Sequence, residues 1–338
     1  MRREDLRIVF MGTPAFAVES LKLLVENGYN IVGVITMPDK PAGRGHKVQF
    51  SPVKLFALEQ NLPLLQPERL KDEAFIDELR ALRADLQIVV AFRMLPEKVW
   101  NMPRLGTFNL HASLLPQYRG AAPINWAIIR GEKETGATTF FLTHEIDTGR
   151  IILQQKIQID ETDKAGTVHD RLMRMGAGMV VKTVDRILEG NDASIDQEEL
   201  LKEISELKTA PKIFREVCEI RSDMLVMDAH NLVRGLSPYP AAWVNVQIPG
   251  QAEPVILKVF ETRPEFVELN EFEDQQSSEI EALTSEKAVS ELLPGSFITD
   301  GRKKAGLVLT DGILWFVSVQ APAKKRMSAD EWLRGLRL

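Results

Sequence analysis

The first 35 residues carry a pattern that few folds accommodate. Leu6 to Met11 is a short, mostly apolar run of the kind buried in a parallel sheet. Gly12-Thr13-Pro14 turns the chain, and Pro14 suits the first position of a helix. Val18, Leu21, Leu24 and Val25 then recur at helical spacing, Gly28 supplies a stop, and Ile31 to Ile35 is a second apolar run. Strand, helix and strand in that order make a βαβ opening. The turn lacks G-x-G-x-x-G, which disfavours a dinucleotide site.

The same alternation continues. Ser51-Pro52 reads as the N-cap and first position of a helix through Gln60, followed by a strand over Leu62 to Leu65 and a helix over Asp72 to Leu82. Leu86 to Val90 is a strand, and the Ala91–Pro96 loop leaves its carboxyl end, where open α/β sheets line their ligand crevice. Gly106 to His111 is the next strand, and a helix runs from Pro123 to near Gly131. Ala137 to Thr143 and Ile151 to Ile159 are strands flanking Asp147. Thr167 to Leu188 is a long helix with Met173, Ala177, Val180, Val184 and Ile187 on its inner face.

At 338 residues the chain is comfortable as two domains. The expected fold class is α/β: a Rossmann-like, mostly parallel sheet with helices on both faces over 1–189. A charged linker over 190–208 leads to a smaller OB-like β-barrel over 209–338. Five short strand candidates support the barrel, from Ala242–Ile248 to Ile313–Val319. The acidic 261–291 stretch reads as a solvated excursion, and Ser328 to Glu331 as a capping box opening a last helix.

Cys218 is the only cysteine, which excludes an intramolecular disulfide and a thiolate zinc cluster and suits a reducing cytoplasm. The five histidines show no metal-ligand spacing, and no run approaches the ~18 apolar residues that span a bilayer. A net charge of -6 does not mark a nucleic-acid binder, but a net figure hides local patches. Two such patches stand out. Pro38 to Pro52 reads as a mobile loop with Lys40, Arg44 and Lys47, able to grip phosphate, and Lys324-Lys325-Arg326 lies near the end.

Chemistry concentrates elsewhere. On a strand ending at His111, Asn109 and His111 project from one face with backbones roughly 7 Å apart. An amide and a protonated imidazole can donate to an oxyanion, while imidazole and the later Asp147 carboxylate can handle protons. That set suits acyl transfer.

The strings Asn109-Leu-His111-Ala-Ser-Leu-Leu-Pro116, Tyr118-Arg-Gly-Ala-Ala-Pro123 and Ile146-Asp147-Thr148-Gly149 closely resemble the folate-dependent formyltransferases. So do Phe10-Met-Gly-Thr-Pro14, Pro38-Asp-Lys-Pro-Ala-Gly-Arg-Gly45, Thr209-Ala-Pro-Lys-Ile213 and Lys324-Lys-Arg-Met-Ser-Ala329, so the resemblance covers essentially the whole chain. The basic loop and the C-terminal half narrow it to the branch acting on tRNA. The resemblance implies transfer of a formyl group from 10-formyltetrahydrofolate, without a metal, to the α-amine of initiator methionyl-tRNA.

The resemblance makes Asn109, His111 and Asp147 catalytic and leaves open whether His111 or Asp147 is the base. It assigns folate binding to Ser113, Leu114, Leu115, Pro116, Val90, Phe92 and Leu95. Lys40, Arg44, Lys47, Lys324, Lys325 and Arg326 are expected to contact tRNA, with a monomeric protein away from membranes. Two departures from the family pattern stand beside the folate pocket: the Ala91–Pro96 loop is short and carries Arg93, and Glu145 occupies a common glycine position. The alternatives are a formyltransferase for a sugar-nucleotide or glycinamide-ribonucleotide amine, a folate hydrolase, and an RNA-binding relative without catalysis.

Overall fold

Each apolar run near the N-terminus becomes a strand of one seven-stranded sheet. A computed structural model of the chain describes residues 2–42, 47–191, 193–202, 204–248, 253–266 and 293–336. They gather into two compact units. The first comprises Met1–Pro123, Glu134–Gln158 and Val168–Pro211; the second comprises Ile124–Lys133, Ile159–Thr167 and Lys212–Leu338.

The chain opens with β1 (Arg7–Gly12), α1 (Ala15–Glu26), β2 (Asn30–Ile35), β3 (Lys40–Ala42), β4 (Lys47–Gln49), α2 (Pro52–Glu59) and β5 (Leu64–Leu65). It continues with α3 (Glu73–Ala81), β6 (Leu86–Val90), α4 (Glu97–Trp100), β7 (Thr107–His111), β8 (Arg119–Gly120) and α5 (Pro123–Ile129). Then come β9 (Glu134–Phe141), β10 (Ile151–Gln158), α6 (Ala165–Leu188), α7 (Gln197–Leu201) and β11 (Thr209–Ala210).

The sheet order is β10-β9-β7-β6-β1-β2-β5. The five strands from β7 to β5 are parallel, and β9 and β10 are antiparallel additions at one edge. From β1 the chain steps out to β2 and β5, then returns to lay β6 on the other side of β1. Open α/β sheets hold ligands at such a reversal.

Alternation along the strands decides which side chains face where. Val9, Met11 and Val89 bury with Phe75, Ile76 and Leu79 of α3 and Val99 of α4. Leu110 points to the other face, where a Cβ on Gly176 of α6 would come within 2.7 Å of it. Thr139 Oγ1 of β9 meets Thr183 Oγ1 of α6 at 2.8 Å. Asn109 and His111 therefore leave β7 on the face away from α6. Ser51 caps α2 as expected, and Asp72, read as the start of a helix, is the N-cap of α3. Ser51 Oγ accepts from the Lys54 N–H and Asp72 Oδ1 from the Ala74 N–H, each contributing ~1 kcal/mol.

The second unit carries α8 (Val226–Leu236), β12 (Ala242–Val246), β13 (Val255–Phe266), β14 (Phe297–Thr299), β15 (Ala305–Leu309), β16 (Gly312–Gln320), β17 (Met327–Ser328) and α9 (Ala329–Arg334). Its antiparallel sheet runs β12-β13-β16-β15-β14, with β17 on β16. Register shifts between Val259 and Thr262 bend β13, and the sheet curls into a half-barrel. Leu232, Val233 and Leu236 of α8 fill its concave side against Val244, Leu257, Val259, Leu314 and Phe316. The capping box at Ser328 and Glu331 forms as expected.

The α/β unit followed by a small barrel-like β domain is thus the observed architecture. Three local readings differ. The 38–52 stretch, read as a loop, pairs β3 with β4 in a two-stranded ribbon, Lys40 opposite Gln49 and Ala42 opposite Lys47. The 190–208 stretch, read as a linker, holds α7, whose Gln197 is buried. The acidic 261–291 stretch begins as the second half of β13, through Phe266; residues 267–292 lie outside the described residues. Among the described residues no helix is long and apolar enough to cross a membrane.

Candidate active site

His111 is the last residue of β7, and its side chain is almost enclosed. Its Nε2 lies 2.9 Å from the carbonyl oxygen of Tyr118. A carbonyl can only accept, so Nε2 carries a proton and donates it there. The other ring nitrogen, Nδ1, lies 3.9 Å from Asp147 Oδ2. Nδ1 is therefore the ring nitrogen not engaged with the Tyr118 carbonyl and the one nearer the Asp147 carboxylate.

Asp147 reaches this point from an unexpected direction. The 142–150 loop starts at the far end of β7, where the Leu142 N–H donates to the Thr107 carbonyl at 2.8 Å. It is tied down on the way by His144, whose ring stands edge-on to Trp100 with Nε2 at 3.4 Å from Glu97 Oε1. Asp147 then adopts a φ of 57°, in the left-handed region that non-glycine residues seldom occupy. The Gly120 N–H donates to its Oδ2 at 3.0 Å. Two residues on, a Cβ at Gly149 would lie 1.7 Å from the Phe141 carbonyl oxygen, so only glycine fits.

Asn109 supplies the third group. Its Oδ1 is buried, and no donor among the described residues meets it. A buried, unsatisfied carboxamide oxygen is suited to receive a hydrogen bond from a ligand.

The expected folate contacts fall into two groups. Ser113, Leu115 and Pro116 are buried, and the segment is fixed by Thr138, whose Oγ1 donates to the Ser113 carbonyl and accepts from the Leu115 N–H. Gln154 Nε2 donates to the Leu115 carbonyl at 2.9 Å, while Leu114 is half-buried. In the other group Val90 is fully buried, and Leu95 and the half-buried Phe92 pack into the cluster around Val89. Their side chains serve the core. The exposed parts of this loop are Ala91 and Met94. The Arg93 guanidinium donates to the carbonyls of Glu68 and Pro67 at 2.9 and 2.7 Å and lies over the Phe92 ring. Burial pulls its pKa below the usual arginine value.

Lys40 and Lys47 stand on opposite strands of the β3–β4 ribbon, and Arg44 lies outside the described residues. Lys54 closes the base of that ribbon, paired with Asp39 before it and lying over the Phe50 ring after it. Lys324, Lys325 and Arg326 are exposed on the second unit. Arg326 donates to Ser318 Oγ at 2.8 Å and lies over Phe260.

Sequence reasoning missed the residues that hold the site together. Thr138 and Gln154 fix the 113–116 segment, and Gln197 contacts the Asp147 turn from a stretch without recognisable chemistry. No local pattern marks them, because each acts on a partner at least 16 residues away.

A family model described as "Formyl transferase" matches residues 6–184, and one described as "Formyl transferase, C-terminal domain" matches 212–337. The chain is 58% identical over 340 residues to a methionyl-tRNA formyltransferase of Bacteroides fragilis, covering 100% of this chain and 97% of that protein. Solved structures share the fold at lower identity. An N-formyltransferase from Helicobacter canadensis, in complex with folinic acid and dTDP-3-aminofucose, aligns with a TM-score of 0.63 at 18% identity, covering 94% of this chain and 99% of that one. HypX from Aquifex aeolicus, in complex with tetrahydrofolic acid, aligns at 0.60 and 16%, covering 97% of this chain and 47% of that one.

Proposed function

The chain belongs to the formyl transferase family, and from that premise we propose that it carries the formyl group of 10-formyltetrahydrofolate to the α-amine of initiator methionyl-tRNA. The observation that carries the chemistry is the commitment of His111 Nε2–H to the Tyr118 carbonyl, which leaves Nδ1 to exchange protons beside Asp147.

In this reading the amine nitrogen attacks the formyl carbon, and His111 Nδ1 takes the proton that the nitrogen sheds. Asp147 balances the charge of the resulting imidazolium. Asn109 serves twice: its amide N–H donates to the tetrahedral oxyanion, and its buried oxygen accepts a hydrogen from the amine. Collapse breaks the bond between the formyl carbon and N10 of the folate, and Nδ1–H returns its proton to that nitrogen. The amine loses one proton, the folate gains one, and the enzyme is unchanged.

We assign folate contacts to Val90, Phe92, Leu95 and Ser113 through Pro116, mostly by way of their backbone, because most of these side chains are buried in the core. Residues 1–189 form the catalytic domain, 190–208 the connection and 209–338 the tRNA-binding domain. Lys40, Arg44, Lys47, Lys324, Lys325 and Arg326 meet tRNA phosphates, and the protein works as a cytoplasmic monomer.

The test is formyl transfer to charged initiator tRNA, with Asn109→Ala beside the unaltered chain. Loss of one oxyanion donor lowers kcat by about 10²–10³. An unchanged kcat, or faster turnover of an amino-sugar nucleotide than of methionyl-tRNA, overturns the reading. Neutralising Lys324 and Lys325 is expected to flatten the salt dependence of tRNA binding by about 0.7–0.9 in log–log slope per lost phosphate contact.

A further inference from the structure

Resting on the role proposed for Asp147, we infer that Gln197 is a positioning residue for formyl transfer, holding the turn that presents the Asp147 carboxylate. Gln197 opens α7 and is 1% exposed. Arg119 donates to its Oε1 through both Nε and Nη2, at 3.2 and 2.6 Å. A guanidinium has no acceptor, so this grip fixes which end of the carboxamide is oxygen. The amide nitrogen must then face the other way. It donates to the carbonyls of Asp147 and Gly149, at 3.0 and 2.8 Å. Both hydrogens are used, on the two carbonyls that bracket Thr148.

These contacts close a ring. Arg119 and Gly120 are the two residues of β8, itself paired with β11. Arg119 holds Gln197, Gln197 holds the backbone of Asp147, and the Gly120 N–H holds its carboxylate at 3.0 Å. Asp147 keeps its φ of 57° inside that ring. A non-glycine residue in the left-handed region persists only where its surroundings over-determine it. Without the amide of Gln197 the carbonyls of Asp147 and Gly149 lose this donor, and the turn can relax away from His111.

Met matches Gln in length and volume but carries no donor, so Gln197→Met separates the hydrogen bonds from packing. The experiment measures kcat, both KM values, the pH profile of kcat and Tm for the full chain, Gln197→Met and Asp147→Asn. We expect Gln197→Met to lower kcat at least tenfold and displace its pH profile, with the KM for methionyl-tRNA within twofold and the protein folded at assay temperature. Asp147→Asn should lose more. Gln197→Met with a kcat within twofold and an unmoved pH profile, while Asp147→Asn collapses, overturns this inference alone. A loss explained wholly by the unfolded fraction also overturns it. Retention of activity by both variants overturns the role of Asp147, and this inference with it.

Discussion

The 91–96 and 142–150 loops are held by different forces. The first is anchored mainly by burial: Leu95 and Phe92 pack into the core, and Arg93 ties the loop to the carbonyls of residues 67 and 68. The second is packed only at its start, through Leu142; beyond it Ile146 is 58% exposed, and the Asp147 turn depends on directed hydrogen bonds from Gly120 and Gln197. Burial is non-directional and spreads its contribution over many contacts. A hydrogen-bonded turn concentrates its geometry in a few donors, so small displacements carry straight to the carboxylate. The loop that bears a proposed catalytic group is the one built for precision.

The contrast can be attacked from its strongest side first. Gly149→Ala places a Cβ against the Phe141 carbonyl oxygen and must shift the turn. A displacement near 1 Å at such a position costs on the order of 10²-fold in kcat. Steady-state kinetics check this, and near-normal kcat would show that the turn tolerates more than its geometry implies.

Arg93→Ala is expected to act more gently. It removes two charge-assisted hydrogen bonds, on the order of 1–3 kcal/mol before solvent screening, while Phe92 and Leu95 still hold the loop. The expected result is a lower Tm with a rise of about threefold in folate KM and little change in kcat. A large kcat effect would mean that Arg93 reaches the chemistry.

Glu145→Gly should do least. The Glu145 side chain is exposed, and the turn uses its carbonyl, which accepts from Thr148 Oγ1 at 3.1 Å. Activity within about twofold is the expected outcome. A larger loss would assign the carboxylate a role, through its field on Arg119, where burial lowers the pKa and Asp147 and Glu145 oppose that shift.

Much of this was legible in the residues themselves. Apolar runs bounded by Ser51, Asp72 and Ser328 marked strands and capped helices, because period and capping act within a few residues. The two-residue spacing of Asn109 and His111 placed both on one face of a strand, and Leu110 against α6 shows which face. The basic stretch was legible as charge but not as a ribbon, since pairing Lys40 with Gln49 depends on the register between two strands. The 190–208 stretch looked like a linker because its charged residues outnumber its apolar ones. Its hold on the Asp147 turn comes through one buried side chain, Gln197.

The sequence by itself determined most of the order of elements and the division into an α/β part and a β part, which follow from local propensity, periodicity and composition. The proposed catalytic residues followed from the motifs that carry the family resemblance. Only the tertiary structure decided that His111 offers Nδ1, that Asp147 arrives from the far end of β7, and that Gln197 and Arg119 support it. Those are directional contacts between residues far apart in the chain, and direction exists only once the backbone has folded.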